Sequence, residues 1–599
     1  MDNNIPNNIS FESAKQLYTN LFNAGMKVNQ SLGSYMAKAA KKKPAGGNDP
    51  LNLQKPFNKA YKEFWSDPQR VVNTSIDLYK RYLDIFTNIS QKCASNSVPT
   101  LYNTDPKDRR FQNEAWENNP FFNFIKQAYV LNSAWLNDIT SHLKTLSPKE
   151  YQKVNFYTHF LIDLLSPTNF GITNPDAIKE AISSNGQSVI NGAEQFSKDL
   201  LNSAHGFKVS SVSSIAFEPG VSIAATSGSV VYQNDLMQLI EYRATTPKVY
   251  EIPLLIVPAW INKFYIFDLQ SSNSFIKWLV DQGYTVYIVS WINPNESHKD
   301  KGFYDYMNDG IITATQQVKK LANCQKVNLV GYCLGGTLLA CTIAYLKAKG
   351  LKDFPIKSTT FLTTLVDFED AGDLGVFIDE EQLIQLEKRM NVKGFLEASD
   401  MNQTFNMIRA NDIIWSFFVN NYLLGKEPAP FDILFWNSDS TRLPSKVHSF
   451  YLRNMYLNNL LVKPNALKFN DIGIDLSKND LPTYMLATRQ DHIVLWQAAY
   501  RATQHYTGPI KFVLSASGHV AGVINHPSKN KYSYWTNGSI TPKADDWLAN
   551  ATENPGSWWT DWHAWQAQFA GKKIAARVIN PQNIIEPAPG SYIKSLVDL

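Results

Sequence analysis

The six residues Gly331-Tyr332-Cys333-Leu334-Gly335-Gly336 constrain this chain more than any other stretch. An aliphatic run, Val327-Asn328-Leu329-Val330, leads directly into them, and Thr337-Leu338-Leu339-Ala340-Cys341-Thr342-Ile343-Ala344 continues as a helix. Strand, glycine-flanked nucleophile and helix in that order are the G-x-S-x-G elbow with cysteine in the serine position. The glycines answer a steric demand, because strand and helix meet at so sharp a turn that side chains beside the nucleophile would collide. A sulfur at the first turn of a helix lies among unpaired N–H groups at the positive end of the helix dipole. The N–H of Leu334 is then expected to form half of an oxyanion hole. Cys324 and Cys341 read as ordinary small buried cysteines.

Such an elbow needs a sheet to carry it. From about Phe217, strand-like runs rich in Val, Ile and aromatic residues alternate with helical ones, at 254–257, 285–289, 327–330, 359–362, 484–487 and 512–514. That alternation predicts a mostly parallel sheet covered by helices, here an α/β-hydrolase fold. Between about Asp367 and Asn479 it lapses into a helix-rich, aromatic segment that includes Trp415-Ser416-Phe417-Phe418, expected as a cap inserted over the sheet. Residues 51–201 read as helical throughout, punctuated at Ser166-Pro167-Thr168-Asn169 and Thr173-Asn174-Pro175. Ahead of them, Ser10 is placed to cap an amphipathic helix carrying Phe11, Leu17, Tyr18, Leu21 and Met26, which ends in Lys41-Lys42-Lys43 and a Pro44-Ala45-Gly46-Gly47 linker. The expected divisions are a helix and linker at 1–50, a helical domain at 51–215, and a catalytic domain at 216–599 with its cap at 367–479.

Folds of this kind present nucleophile, acid and histidine in that order, each beyond the end of a strand. After Tyr484-Met485-Leu486-Ala487 the chain reads Thr488-Arg489-Gln490-Asp491-His492, and after Phe512-Val513-Leu514 it reads Ser515-Ala516-Ser517-Gly518-His519. Asp491 and His519 therefore stand where acid and base are needed, with room between them for one crossover helix at 496–505. His492 adjoins the acid in sequence and is not delivered from a second strand, so it is set aside. Asp268, Asp367 and His298 are read as structural. The second oxyanion donor is expected on the loop after 254–257, beyond Pro258, which has no N–H; Trp260 is the choice.

A formal charge of +4 with mixed signs gives no reason to expect nucleic acid as a partner. Four cysteines without paired spacing fit a reducing compartment, and the polar start, Met1 to Asn8, has no apolar core of a signal peptide. No stretch approaches the roughly 20 apolar residues of a transmembrane helix. Neither a phosphate-binding glycine loop nor a metal-ligand cluster is seen, so no cofactor and no metal are expected. The 15 tryptophans suggest apolar surface kept for a lipid, polymer or partner.

Several further stretches carry a resemblance: Asp108-Arg109-Arg110-Phe111, Asn119-Pro120-Phe121-Phe122, Ser166-Pro167-Thr168-Asn169-Phe170, Asn234-Asp235-Leu236-Met237, Ile261-Asn262-Lys263, Val289-Ser290-Trp291, Asp491-His492-Ile493-Val494, Ser517-Gly518-His519 and Gly556-Ser557-Trp558-Trp559. With the elbow, they make the chain resemble the polyhydroxyalkanoate synthases of the class I type from about residue 105 onward. The resemblance implies an acyltransferase that polymerises (R)-3-hydroxyacyl-CoA, of short side chain such as 3-hydroxybutyryl, into polyester. It implies a triad of Cys333, Asp491 and His519, in which Asp491 either helps activate the 3-hydroxyl group or only orients His519, with a covalent cysteine thioester, CoA entering only with substrate, and a homodimer. It further implies a cytoplasmic protein that becomes bound to polymer granules, in company with granule-associated proteins. Trp260 and Ile292 depart from the family pattern, where a small residue and arginine are common, and the first hundred residues match poorly. Two rival readings are a cysteine hydrolase of the same fold, which differs only in the access of water, and a non-enzymatic granule-coat protein.

Overall fold

The computed structural model describes residues 11–40, 49, 51–94, 99–202, 207–213 and 215–594. The Ser10 cap and the basic linker expected at 41–47 lie outside them. The chain divides into two compact units, one formed by residues 1–213 with 403–429, the other by 214–402 with 430–598.

The first unit is helical, and its helices start where the proline-rich breaks occur. Ser147 and Glu150 form a capping box ahead of Pro148–Leu164, while Asn119 and Asn174 cap Pro120–Ser141 and Pro175–Ser183. In each case proline occupies the first turn, where no N–H is missed. The N-terminal helix Phe11–Ala40 does not stand apart as expected. It packs on Gln187–Asn202, with Asn20 Nδ2 donating to the Asn185 carbonyl at 2.9 Å and Lys27 paired to Glu194 at 2.6 Å.

Residues 403–429 also belong to this unit, so the single cap expected over 367–479 is divided. Gly192 lets the helix Gln187–Asn202 approach the Tyr422 carbonyl so closely that any side chain there would overlap it. Asn421 Nδ2 donates to the Ser210 carbonyl at 2.6 Å, Tyr422 Oη to Asp199, and Arg110 Nη1 to Asn411 Oδ1 at 3.0 Å. These polar groups find their partners on the helical unit, and burying them elsewhere would leave them unpaired.

The second unit is built on an eleven-stranded sheet among the described residues. In chain order its strands are β1 (Gly228–Gln233), β2 (Met237–Tyr242), β3 (Leu254–Val257), β4 (Val286–Trp291), β5 (Val327–Tyr332), β6 (Ile356–Leu362), β7 (Thr483–Thr488), β8 (Ile510–Ser515), β9 (Ser533–Thr536), β10 (Thr552–Pro555) and β11 (Glu586–Pro587). The spatial order is β10-β9-β8-β7-β6-β5-β3-β4-β2-β1-β11. Neighbours from β4 through β3, β5, β6 and β7 to β8 are parallel, and the flanking strands are antiparallel. All six expected strands are present, each as part of a parallel core that is buried on both faces, as crossover helices require. The order, with β3 between β5 and β4, makes this an α/β-hydrolase fold.

Most of the tryptophans are core residues, not surface kept for a polymer. Ten of the 15 are buried, and Trp65 is the one found among the large exposed hydrophobics of the described residues. Trp558, Trp559 and Trp562 of the helix Trp558–Gln566 pack with Phe275 beneath the sheet. Composition counts such residues without saying which face they occupy.

Candidate active site

β5 ends at Tyr332, and Cys333 follows as the N-cap of the helix Leu334–Ala348 with φ 51 and ψ −120. A non-glycine residue at positive φ is strained, and it persists here because both sides of the turn are held. Cys333 N–H donates to the Leu362 carbonyl at 3.0 Å, and Gly336 N–H to the Cys333 carbonyl at 3.0 Å. The glycines do what the motif demands: a side chain on Gly331 would meet the Gly336 backbone, and one on Gly335 would overlap the carbonyl oxygens of Val257 and Pro258. Gly335→Ala is therefore expected to lower stability by about 3 kcal/mol or to abolish soluble expression, since overpacking against backbone has no flexible neighbour to yield. A urea midpoint equal to wild type would contradict that fit.

Asp491 lies just past β7 and His519 just past β8, both 6 % exposed, and Cys333 is 7 % exposed. His519 Nδ1 donates to Asp491 Oδ2 at 2.7 Å. The carboxylate is fully engaged: Oδ2 also accepts from Thr488 Oγ1 at 3.1 Å, and Oδ1 accepts N–H groups of Ile493 at 2.9 Å and Val494 at 2.8 Å. On its other side His519 is near enough to Cys333 for the sulfur to act on its charge, and the Tyr332 ring packs against it at a centroid distance of 5.5 Å. Burial alone would pull the imidazole's pKa down. Charge from Asp491 and Cys333, with the Asp491 hydrogen bond, outweighs it and raises the pKa above its ordinary value.

The loop carrying His519 is fastened from behind. Ser515 Oγ donates to the Gly522 carbonyl at 3.0 Å, Trp558 Nε1 donates to the same carbonyl at 3.0 Å, Trp559 Nε1 to Val523 O at 2.9 Å, and Ser557 Oγ to Asn525 O. Gly556-Ser557-Trp558-Trp559 thus acts as a clamp on this loop.

Leu334 opens the helix after Cys333, where its N–H has no intrahelical acceptor. Trp260 lies on the loop after β3, 2 % exposed, with its indole among Tyr306, Phe303 and Tyr451. The residues read as structural take structural positions. Asp268 accepts from Thr226 and Ser274, and complete burial pushes its carboxyl up to about 6. His298 is held between Asn295 and the Asp235 carbonyl, and Asp367 accepts from Asn459 and lies 3.5 Å from Arg501. Cys341 is buried, which pushes its thiol up, while Cys324 is only half-buried.

Two residues at the site were missed. Tyr451 is buried and Tyr456 half-buried beside Cys333, their rings 5.5 Å apart, and desolvation and the neighbouring sulfur push both hydroxyls up. They sit five apart across the π-helix Leu452–Leu457, whose i→i+5 bonding brings such residues onto one face. A search for 3.6-residue periodicity places them on different faces.

Among the described residues no helix is long and apolar enough to cross a membrane. The profile described as poly-beta-hydroxybutyrate polymerase (PhaC) N-terminus matches residues 107–279, and that of the alpha/beta hydrolase fold matches 252–525. The chain is 39 % identical over 583 residues to the poly(3-hydroxyalkanoate) polymerase subunit PhaC of Rhizobium meliloti, covering 97 % of this chain and 95 % of that protein. It is 43 % identical over 540 residues to the corresponding subunit of Rhizobium etli, covering 89 % and 84 %. For Cupriavidus necator the figures are 40 % over 533 residues, 87 % and 88 %. With relatives of that identity along nearly its whole length, and an elbow, acid and histidine assembled in the fold they share, the chain belongs to the poly(3-hydroxyalkanoate) polymerase family and is an enzyme of that kind.

Proposed function

We propose that this polymerase grows its polyester from (R)-3-hydroxyacyl-CoA, with 3-hydroxybutyryl as the preferred unit, through a covalent thioester on Cys333. The observation that carries the reading is the buried Asp491–His519 pair, 2.7 Å apart, meeting a cysteine held at positive φ on a helix N-terminus.

His519 takes the Cys333 proton, and the sulfur attacks the thioester carbonyl. The carbonyl π pair moves onto oxygen, where the N–H groups of Leu334 and Trp260 meet the developing charge. Collapse of that intermediate expels CoA as a thiolate, which takes the proton from His519 and leaves the acyl group on Cys333. The hydroxyl of a second monomer or of the growing chain then gives its proton to His519 and attacks the Cys333 thioester. Ester forms, and the sulfur leaves to recover its proton. Exchange of one thioester for another conserves the CoA bond's energy until this second step, which runs downhill to the oxoester. A serine would release part of that energy at acylation.

Asp491 serves His519 rather than the substrate hydroxyl on this reading, because each carboxylate oxygen already accepts two hydrogen bonds, the usual capacity of the group. Tyr451 and Tyr456 lie beside the nucleophile with Phe368 packed on both, and on this reading that aromatic group moves to admit substrate and release polymer. Family membership supports the wider picture of a homodimer that starts free in the cytoplasm and becomes bound to granules as polymer grows, beside granule-associated proteins.

The test is to incubate the purified protein with (R)-3-hydroxybutyryl-CoA, following CoA with a thiol dye and collecting insoluble polymer. Polyester accounting for the CoA released supports the synthase. Free hydroxy acid in its place would mean a hydrolase of the same fold, and no CoA release would remove the acyl-CoA substrate.

A further inference from the structure

The loop after β3 is shaped from outside the site. Pro258 O accepts from Trp291 Nε1 at 2.9 Å. Trp260 O accepts from Thr441 Oγ1 at 2.7 Å, and Ile261 O from the Thr441 N–H at 3.2 Å. Asn262 and Ser440 make an antiparallel bridge, and Lys263 O accepts from Trp436 Nε1 at 2.7 Å. Beneath this bridge the buried Lys263 ammonium lies 2.7 Å from Asp439 Oδ1 and donates to the Ile593 carbonyl at 2.7 Å, while Tyr265 Oη donates to Asp439 Oδ2 at 2.6 Å. Segment 436–442 is thus a template along which the loop is laid.

The consequence concerns peptide planes. A trans peptide is rigid, so a bond to one carbonyl fixes the whole plane. The Trp291 bond fixes the Pro258–Ala259 plane, and the Thr441 hydroxyl fixes the Trp260–Ile261 plane. Between them lies the plane that carries the Trp260 N–H; with both neighbours held, its remaining motion is rotation about the line joining the Ala259 and Trp260 Cα atoms, and losing either bond frees it further. Among the described residues the N–H groups of Ala259 and Trp260 have no hydrogen-bond acceptor, nor have those of Leu334 and Gly335. Buried donors are rarely left so, and the contact at Gly335 sets the two groups of donors side by side.

We infer that Thr441 is a positioning residue for acyl transfer, its hydroxyl anchoring the Trp260 carbonyl and so restraining the adjoining peptide whose Trp260 N–H is aimed at the oxyanion. The inference rests on Cys333 being the nucleophile. It also explains why a residue of the cap region, far from the acid and base in sequence, is 1 % exposed with its hydroxyl spent on a single carbonyl.

Thr441→Val keeps the shape and the backbone bond to Ile261 but deletes the hydroxyl, and Thr441→Ser keeps it. Two rates on Cys333 separate positioning from mere stability: acylation by (R)-3-hydroxybutyryl-CoA, which passes through an oxyanion, and alkylation by iodoacetamide, which does not. Thr441→Val is expected to slow acylation about 10- to 100-fold with KM within about two-fold of wild type, since a misplaced donor costs on this order. Its alkylation rate stays at the wild-type value, and Thr441→Ser restores acylation. Trp291→Phe, which removes the bond on the other side of the same peptide, gives the same split and serves if the valine variant does not fold. Acylation of Thr441→Val at the wild-type rate, a serine variant as slow as valine, or an equal loss in both rates overturns the proposal. A wild-type enzyme that is alkylated but never acylated at Cys333 instead removes the reading beneath it.

Discussion

Cys333→Ala yields a folded protein that makes no polymer, with CoA release lowered by about 10^4-fold or more. The size of the effect follows from the role: without sulfur there is no group to hold the chain between additions, and the remaining N–H donors act only on a hydrolytic background. The fold survives because the positive φ of this position is held by the Leu362 and Gly336 hydrogen bonds, which involve only backbone atoms. Circular dichroism and the melting temperature should match wild type while polymer yield falls to nothing. Residual polymer above about 1 % of wild type would assign the covalent step to another residue. Cys333→Ser tests the thioester argument separately, since it retains a nucleophile but spends the CoA bond's energy on acylation; it should acylate slowly and elongate poorly.

Asp491→Asn should cost about 10^3- to 10^4-fold in kcat. The geometry says why. Oδ1 accepts from the N–H groups of Ile493 and Val494, so the amide oxygen takes that side and the amide nitrogen faces His519. His519 Nδ1 must then accept rather than donate, which moves the ring proton to the nitrogen facing Cys333 and leaves no base there. KM for the CoA thioester should change little, because the carboxylate is spent on Thr488, His519 and backbone and touches no substrate on this reading. A variant retaining a tenth of wild-type kcat would contradict the assignment of base and orienter.

The sheet and the core of this site were legible in the sequence because they are written locally. Val327–Tyr332, the glycine spacing and the following helix share one short stretch, and the strand ends before Asp491 and His519 are marked by aliphatic runs. What escaped depends on partners far away in the chain. Thr441 carries no motif, and its weight comes from a carbonyl at Trp260. Gly192 looks like any glycine in a helix, yet it admits the Tyr422 carbonyl and draws residues 403–429 away from the cap into the helical unit. Tyr451 and Tyr456 were hidden by a π-helix, whose register no periodicity scan assumes. Trp558 and Trp559 were recognised as a pattern, but their task of tying down the His519 loop appears only in the hydrogen bonds of their indoles.

The most direct test of the account is the intact mass of the enzyme after mixing with a few equivalents of (R)-3-hydroxybutyryl-CoA and quenching in acid, followed by peptide mapping. Additions are expected in steps of one hydroxybutyryl unit, all on the peptide containing Cys333, removed by hydroxylamine and missing from Cys333→Ala. Polymer formed with no mass ever added to that peptide, or an adduct carried by a different residue, would contradict it.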